Sequence, residues 1–246
     1  MVMDKVVVYS GTYHVYSDMV TAAKSLIANT KVDRIYFVCE HSKDKFPIKI
    51  PDFIKVINVS EQNYISPLSP NRNTYLTYMV LIRTAFHKIF PNEKVVLQLD
   101  CDTIVDKDIS SLWEDYDLSN YYFGCVREPE CGKGGKYDKN ISDVYFNMGV
   151  ALMNLEKLRD GKGDRLLRQI NYVRYAANEQ DCINEWCKGE ILELPSDFNA
   201  SDKWTAPTDN PLIIHFAGDR EWRHQPLYEK YEQMSFEEAM KLGGYV

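Results

Sequence analysis

The chain has 246 residues, 45% of them hydrophobic, and a formal net charge of -7. That length and apolar content fit one large domain or two small ones with a sizeable core, and exclude a disordered chain. The negative charge, with no basic cluster to offset it, excludes a surface that wraps nucleic acid.

The N-terminus, MVMDKVVVYS, carries an early acidic residue and too short an apolar run for a signal peptide. Lys5 to Tyr9 reads as a buried first strand, broken by Ser10-Gly11-Thr12. Met19, Val20, Ala23, Leu26 and Ile27 recur at helical spacing and predict a helix over 17–29. Arg34 to Cys39 and Phe53 to Val59 read as further strands, and strand–helix–strand with short connections predicts a parallel α/β sheet. Glu61 to Asn73 reads as a loop. A helix is expected from Tyr75 to about Phe90, where Pro91-Asn92 stops it. Val95 to Leu99 is an apolar strand ending in Asp100, and Tyr121 to Val126 is another strand. Residues 128–143 are polar and contain Gly132, Gly134 and Gly135; a mobile loop and a plain surface loop both fit them. Tyr145 to Leu155 reads as a strand entering a helix capped by Asn154. Helices are expected near 164–177 and 180–188, strands at Ile191–Leu194 and Leu212–Phe216, and a helical tail over 223–246 with its helix at Phe236–Leu242. No linker or repeat divides the chain, so residues 1–246 are expected to form one α/β domain.

Cys39, Cys101, Cys125, Cys131, Cys182 and Cys187 form no CxxC pair and read as reduced thiols rather than a zinc site. No apolar run approaches the ~18 residues that span a bilayer, so a cytoplasmic protein without a transmembrane segment is expected.

The chemistry concentrates at LDCDTIV. Asp100 and Asp102 stand one residue apart at the tip of an apolar strand, bringing two hard oxygen donors to a place suited to holding a divalent cation against a phosphate. His215 ends another apolar run and is the candidate third ligand. Oxygen with nitrogen suits Mn²⁺ somewhat better than Mg²⁺, with Mg²⁺ kept open. In open α/β sheets ligands lie beyond the carboxyl ends of strands, where Ser10, Gly11 and Thr12 also fall.

Several ordered strings then share one resemblance: VVLQLDCDTIV, YFNMGVALMNLEKLR (Tyr145 to Arg159), EQDCIN (Glu179 to Asn184), ELPSDFN (Glu193 to Asn199), IIHFAGDREW (Ile213 to Trp222) and LIRTAFHKIFP (Leu81 to Pro91). From Val6 to about Trp222 the chain resembles the retaining glycosyltransferases of family 8, the family of glycogenin and of lipopolysaccharide galactosyl- and glucosyltransferases. The resemblance implies a single GT-A domain with a Rossmann-like, mixed but mostly parallel sheet flanked by helices. It implies that Asp100, Asp102 and His215 hold Mn²⁺, and that Gly218 and Arg83 reach the donor phosphates. By the same resemblance Asn147, Glu179 and Gln180 surround the transferred sugar, and Tyr9, Ser10, Gly11 and Thr12 hold uracil and ribose. Cys101 stands where alanine is common, Met148 replaces a serine, and Glu179 replaces an aspartate. With a one-residue gap, Arg220 stands in for the motif lysine and Trp222 for its tryptophan.

The implied reaction transfers glucose or galactose from a UDP-sugar to a glycan, a lipid-linked sugar or a protein. The metal, Arg83 and Arg220 stabilise the departing diphosphate, and attack comes from the front face with retention. Glycosidases of the retaining type use a carboxylate nucleophile, for which Glu179 and Asp181 are candidates by location only. A nucleotide-sugar-binding module without transfer and a UDP-sugar hydrolase are the alternatives. The tail LYEKYEQMSFEEAMKLGGYV is only weakly amphipathic, which slightly favours a soluble or protein-linked acceptor over peripheral work at the inner membrane face.

Overall fold

In the computed structural model, residues 3–72, 77–129, 141–218 and 221–246 are described. The first part of the chain lays down parallel strands. β1 (Val6–Ser10) pairs with β2 (Arg34–Cys39), and β2 with β3 (Ile54–Asn58). Helix α1 (Tyr16–Asn29) makes the first crossover, and β4 (Val95–Leu99) joins the other side of β1. Val7 and Tyr9 enter one core and Val6 and Val8 the other, the two-residue alternation of a strand buried on both faces.

Two antiparallel pairings follow. β7 (Tyr145–Asn154) lies between β4 and β6 (Phe123–Glu128), antiparallel to both, and β8 (Ile191–Leu194) returns parallel to β6. The seven-stranded sheet, in the order β3-β2-β1-β4-β7-β6-β8, is therefore mixed and mostly parallel, the GT-A arrangement expected. A separate two-stranded sheet joins β5 (Thr103–Val105) to β9 (Ile213–His215), with Thr103 opposite His215.

The expected helix over 75–90 takes another form. Residues 73–76 lie outside the described residues. Tyr78–Ala85 winds as a 3₁₀ helix before the short α2 (Phe86–Ile89). Three residues per turn stack positions i and i+3, and Thr77, Val80 and Arg83 accordingly share one face, over the cavity described below. The short α3 (Ser111–Glu114) is not foreshadowed by the sequence pattern. α4 (Leu155–Leu158) begins at Asn154, whose side chain accepts from the Lys157 N–H as expected of a cap. α5 (Lys162–Tyr172) and α6 (Asn178–Trp186) cover the sheet face opposite α1.

The tail holds two helices rather than one. α7 (Pro226–Gln233) starts on a proline, and α8 (Phe236–Leu242) on a Ser235/Glu238 capping box. Both pack on α1. Lys24 Nζ donates to the carbonyls of Glu232 and Met234, and Asn29 donates to the Tyr231 hydroxyl. Tyr228, Tyr231, Phe236 and Ala239 of the tail are buried within the fold, while Leu242 and Val246 are exposed. No described helix is long and apolar enough to cross a membrane. Most of the expected loop 128–143 (residues 130–140), with Cys131, lies outside the described residues. Cys39, Cys125, Cys182 and Cys187 are buried free thiols.

Candidate active site

At the carboxyl ends of β1 and β4 the sheet opens into a cavity of about 490 Å³. Ser10, Gly11, Thr12, Arg83, Asp100, Cys101, Asp102, Asn147, Glu179, Gln180, His215 and Gly218 all line it. Tyr9 does not reach it. Its neighbours on β1 alternate faces, so its ring turns into the core, edge-on to Phe37, and its hydroxyl donates to the Ala22 carbonyl. Arg220 lies outside the described residues.

Three ligand-type side chains meet at the cavity floor. Asp102 Oδ1 is 3.4 Å and Asp100 Oδ2 3.9 Å from His215 Nε2, and one donor atom of each lies within 4.8 Å of the others. Adjacent ligands around a small octahedral cation sit ~3 Å apart, given bonds near 2.1 Å. Two hard oxygens and one imidazole nitrogen at these separations fit a divalent cation after small side-chain adjustment.

Strand pairing builds this meeting. Asp100 N–H donates to the Gly149 carbonyl, and Phe216 N–H donates to the Asp102 carbonyl. The β5–β9 register then brings His215 alongside the aspartates. Gly149 is indispensable to that approach, because a Cβ placed there would stand 2.0 Å from His215 Cε1. A glycine inside a strand often marks such a close approach. Gly149→Ala is expected to expel the ring and weaken any divalent-cation binding by Asp100, Asp102 and His215 more than ~10-fold with the circular dichroism unchanged. Metal titration of both proteins checks this, and an unaltered affinity contradicts it.

Electrostatics tie the group together. Burial works against charge on the His215 ring, but Asp102 and then Asp100 outweigh it and raise its pKa. Burial likewise opposes an Asp102 carboxylate, and the facing imidazole outweighs it and lowers that pKa. Arg83, 3% exposed, donates from Nη2 to Asp100 Oδ1 and from Nη1 to the Met148 carbonyl, each at 2.5 Å. Gln98 Nε2, 3.0 Å from the same Asp100 oxygen, adds a second donor from within β4.

The residues expected around the sugar sit where β7 and α6 meet. Buried Asn178 holds a left-handed φ of 53° as α6 begins. Asparagine tolerates that conformation better than most residues. Glu179 and Gln180 follow on the cavity wall. Burial pushes the Glu179 carboxyl up to about 7, despite the opposing pull of Arg83. Glu179 Oε1 is 3.6 Å from Arg83 Nε. Arg83 Nε and Glu179 Oε2 are buried without hydrogen-bond partners. Such atoms are costly unless a ligand meets them. Gln180 is held at both ends: its Oε1 accepts from Met148 N–H, and its Nε2 donates to Glu128 and to the Tyr145 hydroxyl. Asp181 is fully buried and spent on Tyr145 and the Ala177 N–H.

Arg223 lines the cavity without a sequence signal, whereas Trp222 beside it is the tryptophan of the motif. Trp222 and Arg223 close one side of the cavity, and Arg223 is fixed there by two bonds to buried Asp18 at 2.6 and 2.9 Å. Trp204, on the rim, donates to the Ala217 carbonyl beside Gly218, whose φ is +71°. The sequence motif had placed the cation at Arg220; Arg223, three residues later, is the described arginine that reaches the cavity from this segment.

Residues 7–226 match the family described as Glycosyl transferase family 8. The chain belongs to that family. A relative named "Putative glycosyltransferase" from Haemophilus influenzae is 28% identical over 170 residues, 65% of this chain and 48% of the relative. The chain therefore spans about half of that relative's length. The structure of the glycosyltransferase GlyE of Streptococcus pneumoniae superposes with a TM-score of 0.71 at 20% identity, covering 97% of this chain and 62% of GlyE. The galactosyltransferase LgtC, solved with donor and acceptor sugar analogues, superposes with a TM-score of 0.67 at 18% identity, covering 98% and 96% of the two chains. These likenesses establish the shared GT-A fold.

Proposed function

We propose that the chain is a metal-dependent retaining hexosyltransferase that takes glucose or galactose from a UDP-sugar. The observation that carries this reading is the meeting of Asp100, Asp102 and His215 on the floor of a cavity whose wall holds Arg83, Glu179 and Gln180. Asp100, Asp102 and His215 would hold Mn²⁺, or Mg²⁺ with a poorer fit to nitrogen. A bound divalent cation supplies Lewis-acid stabilisation of the diphosphate leaving group.

The protein's own groups divide the remaining work. Ser10, Gly11 and Thr12 take the nucleoside at the end of β1, and Gly218 lets backbone approach the phosphates. Arg83 orients Asp100, and its Nε faces Glu179. Glu179 Oε2 offers a hydrogen bond to a sugar hydroxyl. Gln180 and Asn147, each committed to the scaffold, shape the sugar pocket. Among the described residues no lining carboxylate is both free and placed as a nucleophile: Asp181 is buried behind the wall, and Glu179 faces Arg83. This favours front-face attack, with the departing phosphate accepting the acceptor's proton, and hence retention of anomeric configuration. The acceptor is a glycan, a lipid-linked sugar or a protein, with Trp204 on its rim. A cytoplasmic site of action accords with a nucleotide-sugar donor.

Incubation with UDP-glucose or UDP-galactose and Mn²⁺ is expected to release UDP, faster with acceptor, and chelation should stop it. Product NMR should show the donor's anomeric configuration. Saturable donor binding without release would assign the chain to a binding module; no binding at all would overturn the proposal.

A further inference from the structure

Behind His215 runs a buried row of polar side chains, of which Asn147 also lines the cavity. His215 Nδ1 lies 2.9 Å from Asn199 Oδ1. Asn199 Nδ2 donates to Asn147 Oδ1 at 2.9 Å, and Asn147 Nδ2 donates to Glu128 Oε1 at 2.9 Å. All four residues are at most 6% exposed.

The direction of this row is dictated by one backbone group. Gly149 N–H also donates to Asn147 Oδ1, at 2.9 Å. A backbone amide only donates, so that end of Asn147 is its oxygen and the opposite end its NH₂, facing Glu128. Asn199 can meet Asn147 Oδ1 only with its own NH₂, which turns the Asn199 oxygen toward His215. An amide oxygen only accepts, so the ring nitrogen facing it carries the proton. Gln180 reinforces the far end, because Met148 N–H fixes its Oε1 and leaves Nε2 to donate to Glu128. Reversing Asn147 would set N–H against N–H and oxygen against oxygen, and reversing Asn199 would set its oxygen against that of Asn147.

We infer that Asn199, Asn147 and Glu128 form a one-way relay that holds His215 as the Nδ1–H tautomer, so that the Nε2 lone pair faces Asp100 and Asp102. Asn199 and Glu128 are positioning residues: they act on the cation site through the ring. The functional consequence rests on the reading that His215 completes that site; the tautomer does not.

The test uses the whole chain, metal-free, with ¹⁵N-labelled histidine at a pH where the ring is neutral. Ring ¹⁵N shifts and two-bond couplings are expected to place the His215 proton on Nδ1. In Asn199→Ala the signal should shift toward Nε2–H, and Mn²⁺ affinity measured by EPR should fall ~10- to 100-fold, the usual range for losing such a partner. Asn199→Asp, which still accepts from Nδ1–H, should keep the tautomer. Glu128→Gln, whose amide oxygen can still accept from Asn147, should also keep it. A wild-type ring protonated on Nε2 overturns the relay, with no variant required. So does a folded Asn199→Ala protein with an unchanged tautomer and Mn²⁺ affinity. A wild-type Nδ1–H ring in a protein that binds no Mn²⁺ at millimolar concentration upholds the relay and defeats the cation-site reading.

Discussion

Asp102→Asn is expected to lower the turnover of a UDP-sugar about 10³-fold. Asparagine keeps the size of the side chain and the backbone carbonyl that accepts from Phe216 N–H, so the β5–β9 pairing survives. What is lost is one of the two negative charges that would face the proposed cation. The Asp102 carboxylate lies 3.4 Å from His215 Nε2 and holds its own pKa low through that ring, so it is poised as an anion at neutral pH. A neutral amide oxygen is a poorer ligand for a divalent ion. Lewis-acid stabilisation of a departing diphosphate is worth several kcal/mol, and each ~1.4 kcal/mol is a factor of ten in rate. Asp100→Asn should be milder in metal affinity but should also disturb Arg83, which donates to the same carboxylate. Steady-state UDP release and an Mn²⁺ titration on the same samples check both variants. A wild-type rate and affinity in Asp102→Asn would remove the cation from the mechanism.

The parts of this site legible in the sequence are those that strand ends and short motifs mark. Asp100 and Asp102 terminate an apolar run, and His215 terminates another; their meeting is made by the separate β5–β9 pairing, which sets Thr103 opposite His215. Arg83 is legible as one arginine in an apolar segment, but not its 3₁₀ setting, because helical propensity does not distinguish a period of 3.0 from 3.6 over so few residues. The family resemblance implies Tyr9 at the nucleoside, yet adjacent residues on a strand face opposite sides, and the apolar ring takes the core.

The supports of the site were not legible for a different reason. Gln98, Gly149, Asn199 and Glu128 reach their partners through pairings between distant segments, such as the antiparallel entry of β7 beside β4. Nothing local in Glu128 marks it as buried, since a glutamate at the end of a strand usually faces water. Arg223 owes its place to Asp18, 205 residues away in sequence. Pro226 was a usable helix-start signal that the mixed charge of the tail obscured.

The buried carboxyl of Glu179 should make the protein less stable as the pH rises. Burial lifts its pKa from 4.5 to about 7 in the folded chain, whereas the unfolded chain titrates near the ordinary value. The folded state therefore binds this proton more tightly. Its stabilising contribution is complete below pH ~4.5 and is lost as the pH climbs through about 7. A difference of that size corresponds to ~3 kcal/mol, a large share of a typical net stability of 5–15 kcal/mol. Glu128, raised to about 7 by burial against the pull of Asn147 and Gln180, contributes in the same direction. Glu179→Gln removes one titration while keeping the shape. Denaturant unfolding of metal-free protein at pH 5, 6, 7 and 8 should show wild type losing ~3 kcal/mol relative to Glu179→Gln across that range. Parallel curves for the two proteins would mean that Arg83, 3.6 Å away, fully compensates the buried charge. The same titration bears on function: below pH 7 Glu179 can donate to a sugar hydroxyl, and above it only accept, so donor affinity should change across the pH interval in which stability does.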